Sequence, residues 1–340
     1  MRNKRMAVVA CFCIAFFAAF TFCCGNGDAA EKTLIKMAGT LPVQNHLTKA
    51  LEIYKDIVEK KSGGQIEMQV YPAQQLYSDK DLVNALPKGA CEGALLNADL
   101  WAGLVKSEGP IFFTGYFQNR DLFYKLFDSE AWQIIKKDFE DQGNIKILSM
   151  VELGPGGLVS KKPIRKLDDL KGQRIRSYGE YTAIFLQAQG AAPVVMSSGD
   201  MYMALQRGTL DAILSSVAAI VDRKLYEVGK YMWDKDTTPS IPFLMAFNLD
   251  FWKKLSPGQQ KILADGAIEV QEWSKKYTLT SDIENKKTLK EKGVTFVSID
   301  PAEWQKIHEK AVQALDAGFI KNVGEQKGQK IISIIKKTCF

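Results

Sequence analysis

Residues 171–181 read KGQRIRSYGEY and set two arginines, Arg174 and Arg176, on either side of Ile175 where a strand-like segment reaches its turn. A guanidinium stays charged and offers parallel N–H donors to two oxygens of one carboxylate, so the chemistry on offer is capture of an anion. A solvated edge strand is the competing reading. Further contacts are available from Tyr178, Tyr181 and Ser198, the last in the loop before a helix that opens at Asp200. Trp101 follows Asn97 by one helical turn, so both can face a cleft, whereas Phe112 and Phe113 read as core.

Catalysis has little material. The two histidines, His46 and His308, lie in unrelated segments, which speaks against a histidine metal site or a Ser-His-Asp arrangement. No HExxH, CxxC, Walker or GxSxG motif occurs. In LGPGGLV, Pro155 and the absent third glycine turn a superficial phosphate loop into a turn or a close backbone approach. Glu152 is a lone acid, read as solvated or as facing a cleft. No catalytic residue, metal or cofactor is expected.

The elements that must hold these residues alternate between strand and helix. Residues 32–37 read as a strand, and Leu47, Leu51, Tyr54, Ile57 and Val58 recur at helical spacing until Gly63 and Gly64. Ile66, Met68 and Val70 alternate with polar neighbours as a strand with one buried face. Ser78, three residues before Asp81, reads as the cap of a helix over residues 79–86. The second half repeats the rhythm, with strands over 173–177, 193–196, 210–214 and 294–299 and helices over 181–189, 200–207 and 301–315. Such alternation predicts an α/β fold with largely parallel pairing. Residues 257–292 are different: they read as one helix of about 50 Å, which must cross between two domains or break.

Residues 1–30 stand apart from this pattern. Arg2, Lys4 and Arg5 precede a 17-residue run, residues 6–22, in which only Thr21 is polar, and the small residues of CGNGDAAEK place cleavage after Ala29 or Ala30. This is the build of a secretory signal peptide. It ranks above a retained anchor, for which the run is short, and above lipidation at Cys23 or Cys24, where Phe22 is bulky. Of six cysteines only Cys91 and Cys339 lie beyond this segment, too few for a disulfide scaffold. The net charge of +6 is dispersed, with no basic block or RNA-reading motif, so nucleic acid is not an expected partner. The length suits two domains, each with its own core.

The middle of the chain resembles the solute-binding proteins of tripartite ATP-independent periplasmic (TRAP) transporters. The likeness is carried by DDLKGQRIRSYG and by QGAAPVVMSSGDMYMALQRGTLDA, and continues in KSGGQIEMQVYPAQQLYSDKDLVNAL, KLYEVGKYMW and FWKKLSPGQQKIL. It implies an α/β periplasmic binding protein fold of two lobes joined by hinge strands and by one long helix, with the ligand cleft between the lobes. Lobe I would comprise residues 31–153 and 241–280, lobe II residues 154–240 and 281–340, and residues 257–292 would be the bridge. The arginine that anchors an organic carboxylate in this family falls at Arg176, leaving Arg174 as a surface cation.

Other pocket positions depart from the sialic-acid-binding relatives. A second arginine falls near Gly156, an asparagine at Ser215, a histidine at Thr237, and a Glu and Arg near Asn97 and Leu100. These losses reject a bulky polyhydroxylated acid. The resemblance therefore implies a monomeric, non-enzymatic periplasmic protein that takes a small organic acid to a TRAP permease. A monocarboxylate, aliphatic or aromatic, is the first expectation and a sulfonate the second. A ligand-sensing module for a membrane receptor kinase is the alternative. The expected ligand contacts are Arg176, Trp101, Asn97, Tyr178, Ser198, Ser215, Thr237 and Gly156.

Overall fold

In the computed structural model, which describes residues 32–117 and 119–340, the N-terminal half alternates as its hydrophobic periodicity requires. Strand β1 (Thr33–Ala38) leads to α1 (His46–Lys61), capped by the Asn45 side chain, which accepts a hydrogen bond from Leu47 N–H. Next come β2 (Ile66–Tyr71), α2 (Asp79–Ala85), β3 (Gly93–Leu96), α3 (Arg120–Asp128), α4 (Glu130–Gly143) and β4 (Ile145–Glu152). Ser78 caps α2 as its spacing predicts, its hydroxyl accepting from Asp81 N–H at 3.1 Å.

The second half holds β5 (Gly156–Ser160), β6 (Arg174–Ser177), α5 (Glu180–Ala188), β7 (Ala192–Val195), α6 (Met201–Arg207), β8 (Ala212–Ser216), α7 (Val217–Asp222) and β9 (Tyr231–Trp233). Strand β10 (Pro242–Asn248) is followed by α8 (Leu249–Lys254), α9 (Pro257–Glu291), β11 (Thr295–Val297), α10 (Pro301–Val323) and α11 (Glu325–Cys339). Two sheets result, one in the order β2-β1-β3-β10-β4 and the other β11-β9-β5-β8-β6-β7. Pairing is mixed rather than largely parallel. β10 runs antiparallel to β3 and β4, and β5 antiparallel to β8 and β9. The reason is connectivity: these strands carry the chain from one sheet to the other and back, which reverses its direction.

Three segments join the sheets. The chain leaves the first sheet between β4 and β5 and returns between β9 and β10. These crossovers lie side by side: Leu153 N–H donates to Ile241 O at 2.9 Å, Ile241 N–H to Gly154 O at 2.8 Å, and Gly156 N–H to Thr238 O at 3.0 Å. Gly154 sits at φ +97°, where a Cβ would be strained.

The third segment is α9, 35 residues long, as its composition predicts. Pro257 occupies its first turn, and Ser256 and Gln259 cap each other reciprocally at 3.2 and 3.0 Å. Its buried Leu263, Ala267 and Val270 lie in the larger core, which includes the first sheet, and its Leu289 in a separate core under the second.

The C-terminus departs from the expected partition. α10 packs on α5, but α11 packs on α3 and α4, beside the first sheet, so residues 281–340 do not all belong with lobe II. The cause is the apolar stripe of α11, Ile331, Ile335 and Cys339, fully buried in the larger core.

Cys91 and Cys339 are both buried and free. Burial pushes their thiols up to about 12 and about 11. The predicted signal peptide and lipidation site fall outside the described residues. No helix among the described residues is long and apolar enough to cross a membrane.

Candidate functional site

A small cavity of about 20 Å³ lies between the two sheets, walled by Thr40, Asp79 and Asn97 on one side and Arg176, Tyr178, Ser198, Ser215 and Arg223 on the other. Strand β6, paired on both edges by β7 and β8, delivers Arg176 to it. Arg174 and Arg176 share a face by the two-residue period of a strand, yet their surroundings differ. Arg174 is exposed and folds back on Asp211, with Nε and Nη2 donating at 3.0 and 2.8 Å. Arg176 is 2% exposed. It donates to Leu214 O at 3.1 Å and Met196 O at 3.4 Å, and its Nε has no partner. Burial pulls this guanidinium below its ordinary value, against the pull of nearby acids that include Asp79.

The Tyr178 ring lies under the Arg176 guanidinium, 5.0 Å from centroid to Cζ, and its buried hydroxyl is unpartnered. Thr182 positions the turn that carries it, the Thr182 hydroxyl accepting from Tyr178 N–H at 2.9 Å. Asp99, following β3, in turn accepts from Thr182 Oγ1 at 2.6 Å and Tyr181 N–H at 3.1 Å, capping α5 from the other half of the molecule. Gly179 is obligatory at this junction, since a Cβ there would stand 2.0 Å from Asp99 O.

Asp79, in the first turn of α2, accepts from Ser198 N–H at 3.1 Å through Oδ2, while Oδ1 is buried without a partner. Asn97 Oδ1 is likewise unpartnered. Arg223 ends α7 and donates to Ser198 Oγ at 3.0 Å and, across the cleft, to Thr40 O at 3.3 Å, leaving its Nε free. Burial and then the neighbouring Arg176 both lower its basicity. The walls thus carry two guanidiniums against one carboxylate, an excess of positive charge in a desolvated place, suited to an anion.

The cavity brings together Arg176, Asn97, Tyr178, Ser198 and Ser215. Trp101, Thr237 and Gly156 do not line it. Residues 98–101 form a 3-10 turn and Asn97 precedes it with extended backbone, so the two are not one α-helical turn apart on a shared face, and Trp101 turns into the core against Phe139. Gly156 opens β5 and Thr237 lies in the crossover beside it, where a Cβ on Gly156 would meet Thr237 Oγ1 at 2.5 Å. With Thr238 N at 3.3 Å as well, the position has little room for an arginine side chain. The second guanidinium on the cavity wall is that of Arg223, which caps the end of α7 and was not singled out from the sequence. Asp79 was also missed, though an acid in a first helical turn was its signal. Glu152 is neither solvated nor in the cleft. It is fully buried, paired with Arg120 and accepting from Thr278 Oγ1 at 2.8 Å.

The sequence profile of the DctP family, bacterial extracellular solute-binding protein family 7, matches residues 37–322, most of the chain. The chain belongs to this family. Among relatives of this solute-binding protein, the uncharacterized protein YiiZ of Salmonella typhimurium is 27% identical over 85% of this chain and 87% of its own length. The C4-dicarboxylate-binding periplasmic protein DctP of Rhodobacter capsulatus is 22% identical, over 86% and 91%. A TRAP periplasmic solute-binding protein from Desulfovibrio salexigens, solved with orotic acid, shares the fold with a TM-score of 0.84 at 23% identity, over 91% of this chain and 99% of that one. A Bordetella pertussis extracytoplasmic solute receptor binding pyroglutamic acid gives 0.83 at 19%, over 89% and 99%. This is a TRAP-type family of periplasmic solute-binding proteins rather than of enzymes.

Proposed function

We propose that this solute-binding protein is exported by its N-terminal segment, captures a small organic acid anion between its two sheets and hands it to a TRAP permease. Arg176 carries the reading: a buried guanidinium on the cavity wall, with its Nε unpartnered, is suited to bonding an anion. A carboxylate is the first choice of group. Orotate, pyroglutamate and malonate, bound by proteins of the same fold, are acids of this size. Entry requires the walls to part, because the present cavity admits little more than a water molecule. The two crossovers and α9 are the hinge about which they would do so.

A thermal-shift screen across small carboxylates and sulfonates tests this, since a ligand that binds only the folded chain raises its melting temperature. At least one carboxylate should shift wild type and fail to shift Arg176→Ala, because removing one partner of a buried charge pair typically costs about 3–5 kcal/mol. An equal shift in the variant rejects the anchor.

A further inference from the structure

The polar atoms left over at the cavity wall are of two kinds, and an anion alone answers only one. Arg176 Nε and Arg223 Nε can only donate, while Asp79 Oδ1 and Asn97 Oδ1 can only accept. The Tyr178 hydroxyl serves either way. A plain carboxylate or sulfonate satisfies the donors and leaves Asp79 Oδ1, and Asn97 Oδ1 in its present orientation, bare in a desolvated cleft, where an unmade hydrogen bond counts against binding. A dicarboxylate is worse, because its second charge would approach Asp79. Two guanidiniums and one carboxylate leave a single positive charge to be matched.

Resting on the organic-anion reading above, we infer that the ligand is a monoanionic carboxylic acid that also carries O–H or N–H donors, with Asp79 and Asn97 as the residues that select for them. Asp79 suits the role because its other oxygen is already held by Ser198 N–H from across the cleft. The carboxylate is thereby fixed in place when the walls meet, and a donor on the ligand completes it only in that state. Selection is then a penalty on the wrong ligand as much as a bond to the right one. Arg223, bonded to Thr40 O and Ser198 Oγ, contributes the second cation beside Arg176.

The test is calorimetry on the purified protein with size-matched pairs that differ in donors: butyrate with 2-hydroxybutyrate, cyclopentanecarboxylate with pyroglutamate, and benzoate with orotate, plus succinate as a dianion. In at least one pair the donor-bearing acid should bind tenfold or more tighter, and succinate should be weaker than that acid. Asp79→Ala should collapse the ratio within the pair, and Asn97→Ala should reduce it. Each variant is first checked for an unchanged circular dichroism spectrum. If Asp79→Ala fails to fold, the Asn97→Ala ratio decides. Equal affinity within every pair, or a ratio untouched by the folded variants, overturns the inference while leaving the organic-anion function standing. Absence of heat with every probe, succinate included, overturns that function itself.

Discussion

Two arginines separated by one residue differ in what their loss would do. Arg174 makes an exposed ion pair with Asp211, whose carboxyl it holds below its usual range mainly through their hydrogen bonds. Such pairs contribute about 0–1 kcal/mol, so Arg174→Ala should leave ligand affinity nearly unchanged. Arg223→Ala removes a buried donor and should weaken binding by about 10- to 100-fold, the range expected for one charge-assisted hydrogen bond. Calorimetry with whichever acid shifts the wild type separates the two; a larger loss for Arg174 reverses the assignment. The place of Arg176 on the cavity wall was legible in the sequence from the family motif, since the strand period puts Arg174 on the same face and does not separate the two. Arg223 was not, since its place depends on α7 bringing its far end over the cavity, a matter of packing rather than spacing. Trp101 misled for the opposite reason, its spacing from Asn97 being read as one α-helical turn.

Among the elements, α9 was legible from length alone: no single lobe accommodates 35 residues of helix. Its chemistry was less so. Asp282 lies on α9 against the Gly154 crossover, with Arg120, Lys286, Asp236 and Glu152 as its charged neighbours. Burial, first, and the nearby acids raise its carboxyl from 3.8 to about 7, with Arg120 and Lys286 opposing. The folded chain therefore holds a proton there that the unfolded chain releases near 3.8, and the stabilisation is fully present below that value and lost as pH rises toward about 7. Asp282→Asn removes the dependence. Relative to wild type, its urea midpoint should rise steadily between about pH 4 and 7, the interval between the unfolded and folded values of Asp282; parallel curves would refute the shift. The antiparallel course of β5 and β10 was hidden from the sequence because pairing direction follows from which sheet each strand joins.

At the scale of the whole molecule, the polar contacts across the cleft include Asp79 with Ser198, Arg223 with Thr40, and Asn45 Nδ2 with Asp222 Oδ2 at 2.5 Å, and beside the cavity the two halves also share apolar packing, Phe112 against Tyr178 and Phe113 against Tyr181. A ligand bonded to both walls favours the closed form alone, so it should shift the balance between parted and closed forms toward closure. Small-angle scattering should show the radius of gyration falling on addition of a binding acid, and no fall for Arg176→Ala; an unchanged wild-type curve would rule out ligand-driven closure. The two buried thiols add something of a different sort. With residues 1–30 removed, Cys91 before β3 and Cys339 at the end of α11 are the chain's only sulfhydryls, and neither is bridged. Production in a reducing cytosol therefore forfeits no covalent bond. An alkylating reagent would reach each sulfur only when its surroundings open, so the pace of modification at the two sites serves as a pair of clocks, one set by the first sheet and one by the terminal helix.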